Sequence, residues 1–211
     1  HRASAVQFSF CVVLGEGDSE EIVLPRLLQA KGAPVDESAI TIAPLGGRHV
    51  NHFWRLLATL RIPYFTLLDL DVARYAAGWG RIKYVNDQLS LHQRRKKLPD
   101  ACVIPKWNNG EHRIRNSENY LDMLEERGVY FSFPMDLDFS MLLAFPKAYA
   151  VKKEAPDATT LKAVLGKSHN DSSQYSEDEL ALFNTYHQRF KLGSKPAAHI
   201  EALTNLGDAD L

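Results

Sequence analysis

Cysteine is scarce. The 211 residues contain two, Cys11 and Cys102, far apart and in no CxxC pattern. A disulfide framework and a zinc site are therefore poor fits, and a reducing cytoplasm is the expected compartment. No apolar run approaches the ~20 residues that a membrane span requires. No Walker A or glycine-rich nucleotide fingerprint occurs. Neither charge is in excess: 25 Lys and Arg face 26 Asp and Glu. That balance argues against a protein that coats polyanions, while leaving room for a local basic face. There is no internal repeat, no low-complexity tract, no signal peptide and no initiator Met. His1–Ala5 read as a cut end, and the natural protein is expected to continue upstream.

What is present is enough for one large domain, or a domain with a substantial insertion: 45% of the residues are hydrophobic. The most informative stretch is Pro63–Asp71. Tyr64–Leu68 is a continuous apolar or β-favouring run opened by a proline, which reads as a strand buried on both faces. Asp69 and Asp71 then fall at its carboxyl end, where open α/β sheets keep their ligand crevice. Alternate residues of an extended chain point the same way. Two carboxylates so placed repel each other unless a cation lies between them. A hard divalent ion such as Mg²⁺ is the usual solution; the alternative is an ordinary solvated loop.

In chain order, Phe8–Leu14 reads as a first central strand. Gly15 to Glu21 follows, with glycines that permit a tight turn and with Asp18 or Ser19 as a helix cap. The helix runs to Lys31 and offers Ile22, Leu24, Leu27 and Leu28 to the sheet. Glu16 is held between glycines at a strand end, which favours a functional role. Glu20 either turns toward the same crevice or simply suits the positive helix N-terminus. Ala39–Leu45 is a second strand and Gly46-Gly47-Arg48 a turn. His49–Leu60 is a helix with Phe53, Leu56, Leu57 and Leu60 at helical spacing. This β-α-β-α-β order predicts a parallel sheet.

From Val72 to about Arg127 the pattern is polar and mainly helical, with helices over Ile82–His92 and Ser117–Arg127. Arg94–Lys97 reads as a solvated helix face, with phosphate contact as its functional alternative. Trp79, Tyr84 and Trp107 read as core aromatics rather than stacking surfaces. Val129–Phe133 returns as a strand, and Asp136-Leu137-Asp138 repeats the earlier grammar before a helix over Phe139–Phe145. Two acidic pairs plus Glu16, all at predicted strand ends, would be prohibitive to bring together without a metal. After a connector at Ala148–Asp157, helices are predicted over Ala158–Leu165, Glu177–Phe190 and Ala197–Leu206, with a polar loop at His169–Gln174. Lys195 sits just ahead of the last helix, where a lysine is electrostatically disfavoured.

Val13–Glu20, the Pro44–Gly47 turn, Pro63–Asp71, the pair Asp136 and Asp138, and Ser194-Lys195-Pro196 together resemble the Toprim catalytic domain. Topoisomerases, bacterial primases and several nucleases share that fold. The closer likeness is to the C-terminal region of the overcoming-lysogenisation-defect (OLD) nucleases, in which an ABC-type ATPase region precedes the Toprim region on the same chain. The third motif of that family usually closes with Glu; here Asp138 takes the place. The resemblance implies an α/β fold, a Toprim-like (Rossmann-like) parallel sheet flanked by helices. Residues 1–71 and 128–150 would form its catalytic core, 72–127 a mainly helical insertion, and 151–211 C-terminal helices that complete the site. It also implies a cytoplasmic, Mg²⁺- or Mn²⁺-dependent endonuclease acting on DNA. Two ions ~4 Å apart would be held by carboxylates. Carried onto this sequence, the ligand set is Glu16, Glu20, Asp69, Asp71, Asp136 and Asp138. Glu16 and Asp69 would act directly in catalysis, and Lys195 would stabilise charge developing on the phosphate.

Two other classes stay open. Asp69-Leu70-Asp71-Val72-Ala73 resembles the first motif of haloacid-dehalogenase phosphatases, although that motif sits on a first strand; a phosphotransfer receiver would also explain clustered acids plus a lysine. The second class is a metal-stabilised DNA-binding module without turnover.

Overall fold

A computed structural model describes residues 11–92, 98–99, 103–105, 114, 118–166 and 171–211. Phe8–Phe10 at the start of the first expected strand, Arg94–Lys97, Cys102, Trp107 and residues 169–170 of the polar loop lie outside the described residues.

Four short apolar segments become strands: β1 (Cys11–Gly15), β2 (Ile40–Pro44), β3 (Tyr64–Asp69) and β4 (Val129–Ser132). They form one parallel sheet in the order β2-β1-β3-β4, so all four expected core strands lie in it. Helix α1 (Asp18–Ala30) links β1 to β2, and α2 (Asn51–Leu60) links β2 to β3. The first crossover moves one way along the sheet and the second moves back across β1. With right-handed connections, these two helices lie on opposite faces. Between β3 and β4 run α3 (Trp79–His92) and α4 (Glu118–Glu125). Trp54 of α2 is fully buried and its Nε1–H donates to Thr66 Oγ1 on β3 at 2.9 Å. Its bulk and its polar handle are thus both satisfied against the sheet. Leu14, Leu68 and Val129 share that face with Thr66 by register, and Trp79, Ile82 and Val85 of α3 are buried in the same core.

The other side of β3 is more open than the apolar run suggests. Phe65 is 43% exposed and Tyr130, on β4, 38%; their rings meet edge to face at 6.2 Å. β3 is therefore buried on one face, not both. The reason is topological: α1 packs along β1 and β2. Helix α2 also turns a different stripe inward from the one its spacing suggests. Trp54 and Leu57 are buried and Phe53 half-buried, whereas Leu56 and Leu60 are exposed.

Past β4 come α5 (Leu137–Ala144), α6 (Ala158–Leu165), α7 (Glu177–Leu180), α8 (Phe183–Tyr186) and α9 (Lys195–Thr204). The helix expected over Glu177–Phe190 is broken. Its second half is α8 followed by a π-helical turn, His187–Leu192. An extra residue per turn re-aims side chains, and such turns recur at functional sites. Phe139 of α5 packs edge to face against Tyr175, Phe183 and Tyr186, which ties the C-terminal helices to the sheet's carboxyl end.

Candidate metal centre

The carboxyl ends of β1, β3 and β4 bring most of the acids to one place. A cavity of about 100 Å3 is lined by Glu20, Asp69, Asp136, Asp138 and Lys195, with Gly17 to Ser19 at its edge. Glu16 leaves β1 beside it: its Oε1 accepts the Asp69 N–H at 3.0 Å and pairs with Arg81 Nη1 at 2.9 Å. The remaining acid, Asp71, turns elsewhere. Asp71 adopts a left-handed φ of 54°, which ends the extended geometry that would have aimed it alongside Asp69. The loop after it curls back on itself, with Gly78 N–H donating to Leu70 O at 2.8 Å. Asp71 is thereby delivered to two arginines: Arg74 Nη1, and Arg81 Nη2 at 2.7 Å.

The capping position of helix α1 is Gly17, not Asp18 or Ser19. Glu20 turns back so that its Oε2 accepts the Gly17 N–H at 2.9 Å. It therefore both closes the helix start and faces the cavity, so the two readings of Glu20 are compatible. Gly15 makes this possible. A Cβ there would lie 2.4 Å from Glu20 Cβ and 2.5 Å from its Cγ. Gly15→Ala is expected to cost about 1–3 kcal/mol by overpacking, seen as a lower thermal midpoint; an unchanged midpoint would show that Glu20 moves aside freely.

Asp136 caps α5, its Oδ1 accepting the Phe139 N–H at 3.0 Å, while its Oδ2 accepts the Tyr186 hydroxyl. Asp138, in the first turn of α5, is 1% exposed. Its Oδ1 meets Ser19 Oγ at 2.5 Å and His199 Nε2 at 2.9 Å. Lys195 Nζ lies 2.5 Å from its Oδ2, as an ion pair. Lys195 is the first residue of α9 rather than just ahead of it, with Ser194 Oγ capping the helix through Ala197 N–H. Gly193 is needed to reach that start, since a Cβ there would sit 2.7 Å from the Arg189 carbonyl.

Burial dominates the electrostatics. It pushes Asp69 well above the usual carboxylate range, and the negative charges of Asp136, Glu16, Asp71 and Glu20 push it the same way. It raises Glu16, against the pull of Arg81 and the Asp69 N–H, and raises Asp136 despite Arg74 and the Tyr186 hydroxyl. Burial carries Glu20 up to about 7. Asp138 goes the other way: burial opposes its charge, but the His199 hydrogen bond and the Lys195 ammonium hold it down at about 2. For Lys195, burial disfavours the ammonium and Asp138 more than restores it, so its pKa is raised.

The sign for stability follows from Glu20. The folded protein keeps a proton there that the unfolded chain releases near pH 4.5. Its contribution is complete below that pH and is lost as pH rises through about 7. Without metal, urea unfolding at pH 5 and pH 8 is expected to show a loss to which Glu20 contributes on the order of 3 kcal/mol, and the loss should be smaller by about that contribution in Glu20→Gln. A flat profile in the wild type would contradict the buried carboxylate cluster.

Among the described residues, no three acidic, cysteine or imidazole side chains already stand at metal-ligand geometry. The donor chemistry nonetheless suits a hard cation. The oxygens are carboxylate acceptors, and Asp69 Oδ1 is buried without a hydrogen-bond donor, while Asp138 Oδ2 is met by the Lys195 ammonium. Five residues of the site were not singled out from sequence: Ser19 as a ligand of Asp138, Arg74, Arg81, Tyr186 and His199. Only His199 carries a sequence signal, since it lies four residues after Lys195 on one helix face.

Residues 8–71 match the family described as overcoming lysogenization defect protein-like, TOPRIM domain. Among solved structures, the C-terminal region of the Xanthomonas campestris pv. campestris OLD protein phased with mercury aligns over 98% of this chain and 90% of that one, at 18% identity and a TM-score of 0.53. The same region phased with iodine aligns over the same shares at 20% identity, also with a TM-score of 0.53. No curated protein matches the chain. Residues 8–71, which carry β1 to β3 and the acids from Glu16 to Asp71, thus match the OLD-like TOPRIM domain model, and the chain as a whole has the fold of the C-terminal regions of OLD proteins.

Proposed function

We propose that this chain is a Mg²⁺- or Mn²⁺-dependent endodeoxyribonuclease. An OLD-like TOPRIM segment implies a metal-dependent enzyme of nuclease type; DNA as substrate, the choice of ion, the two-ion form and the residue roles are our reading. The observation that carries it is Asp69: a carboxylate whose Oδ1 is buried without a donor, in a cavity it shares with Glu20, Asp136 and Asp138, with Lys195 at the rim. Such a cluster is costly unless a cation offsets it.

Asp69, Glu20, Asp136 and Asp138 would hold the cation side of the cavity, with Glu16 beside them. Asp71 would join only on leaving Arg74 and Arg81. A bound divalent ion supplies an activated water and stabilisation of the departing oxygen. The protein's own part is positioning. Arg81 and the Asp69 N–H fix Glu16; Tyr186 and the α5 N-terminus fix Asp136; Ser19 and His199 fix Asp138. Asp138 in turn holds the Lys195 ammonium at the cavity. Lys195 would meet negative charge as it grows on the phosphate.

The partners in this reading are DNA and an ATPase region upstream on the same chain. The same division would make 1–71 and 128–150 the catalytic core, 72–127 an insertion, and 151–211 the helices that complete the site. No described helix is long and apolar enough to cross a membrane. The test is supercoiled plasmid incubated with Mg²⁺ or Mn²⁺, and with chelator. Metal-dependent nicked or linear product is expected. DNA binding without any cleavage would favour the module without turnover, and hydrolysis of a phosphomonoester alone would favour the phosphatase reading.

A further inference from the structure

Arg81 faces two ways. Its Nη atoms hold Glu16 and Asp71, as described, yet it also lines a second and larger cavity, of about 340 Å3. Arg48 and His49, from the turn before α2, form one wall of that cavity. Lys83 and Tyr84, from the first turns of α3, form the other. Cavities of this size hold small ligands such as a nucleotide. Among the described residues no carboxylate lines it, in contrast to the acidic crevice. Arg48 and His49 are exposed. The His49 and Tyr84 rings stand edge to face at 6.0 Å, and the Tyr84 hydroxyl is fixed by accepting the Val50 N–H at 3.2 Å. Lys83 is 62% exposed and held loosely by Asp87 on its own helix.

The second observation is that Arg81 is a fixed charge. It is only 7% exposed, and its Nη atoms are held by Glu16 and Asp71, so the guanidinium is locked in place where its side chain lines the cavity. Cationic side chains for phosphate and aromatic rings for a base are the two components of single-strand nucleic-acid grooves. Arg81 joins this cavity to the acids, so a strand cut at the crevice has this cavity as its neighbour.

We propose that the cavity between Arg48, His49, Arg81 and Tyr84 binds a nucleotide of the substrate strand next to the one being cut. Its phosphate would lie on Arg48 and Arg81 and its base against His49 and Tyr84. This rests on the nuclease reading above and adds a subsite to it. The probe is a short, labelled single-stranded oligodeoxythymidylate, with Ca²⁺ in place of Mg²⁺ to suppress turnover. Affinity is measured by anisotropy at several salt concentrations for wild type, Arg48→Ala, His49→Ala, the double variant, and Arg55→Ala as an exposed control outside the cavity. The double variant is expected to bind about tenfold more weakly, with the salt slope reduced by about 0.7 through Arg48. Arg55→Ala should bind as wild type does, and Mn²⁺ binding should be the same in all. Wild-type affinity in the double variant, or an equal loss in Arg55→Ala, would overturn the subsite and leave the nuclease reading standing. A wild type that binds no oligonucleotide at low salt would likewise overturn the subsite, whereas the nuclease reading stands or falls on the plasmid assay.

Discussion

Asp69→Ala is expected to reduce metal-dependent cleavage about 10³-fold, the upper end of what loss of one preorganised electrostatic group costs, while making the metal-free protein more stable. The two effects have one cause. Asp69 ends β3 inside the cavity, with Asp136, Glu16, Asp71 and Glu20 all opposing its charge. Its Oδ1 has no donor, so nothing in the protein compensates that oxygen. Without a cation, the ionised carboxylate is a liability. Replacing it with a methyl group removes the repulsion and leaves the backbone N–H on Glu16 in place. The expected gain is on the order of 1 kcal/mol, or about 2–4 °C in thermal midpoint at this chain length. Single-turnover cleavage in Mg²⁺ and thermal melting in chelator at pH 8 read the two halves separately. Full activity in Asp69→Ala would remove Asp69 from the site. A large loss of stability would mean that the side chain supports the fold instead.

Lys195→Ala is expected to slow single-turnover cleavage by about 10²–10³-fold with little change in DNA affinity. Three features aim this lysine. Gly193 allows the chain to leave the π-helical turn against the Arg189 carbonyl. Ser194 and Pro196 fix the start of α9. Asp138, itself held by Ser19 and His199, keeps the ammonium beside the cavity. A cation placed where charge grows during the reaction contributes to the rate more than to binding. A lysine that only touched backbone phosphate would do the reverse, weakening affinity and flattening its salt dependence. Affinity in Ca²⁺ at several salt concentrations and single-turnover rates in Mg²⁺ separate the two. An unchanged rate with weaker binding would move Lys195 to the binding surface. Lys191 is the informative comparison: its ammonium sits 5.4 Å from the centre of the Tyr186 ring, and burial lowers its pKa.

The sheet was legible because its strands are apolar runs separated by helical periodicity. That signal places strands at Tyr64–Leu68 and Val129–Phe133 without any knowledge of their neighbours, and the structure has them at Tyr64–Asp69 and Val129–Ser132. It says nothing about what covers each face, and so Phe65 was expected to be buried when it is 43% exposed. The acids were legible as residue types at strand ends, but their directions were not. Asp69 and Asp71 part company because Asp71 takes a left-handed conformation, which no alternation rule foresees at a non-glycine residue. The supporting groups were the least visible. Arg74 and Arg81 lie in a stretch read only as polar and helical. Tyr186 reaches Asp136 from a helix 50 residues away, and its placement depends on a break that amphipathic periodicity does not encode. His199 touches Asp138 because α9 packs on α1, a tertiary fact with no local trace beyond its spacing from Lys195.

The central claim is that the acidic crevice holds divalent cations, and Mn²⁺ titration tests it most directly. Wild type and Asp69→Ala would be titrated calorimetrically after chelator treatment, with thermal midpoints followed over the same concentrations. Saturable binding to wild type is expected, with a midpoint that rises with Mn²⁺ as linkage requires. In Asp69→Ala, affinity should fall at least ~tenfold. Wild-type protein that neither binds nor is stabilised by Mn²⁺ or Mg²⁺, or an Asp69→Ala variant that binds as tightly as wild type, would contradict the claim.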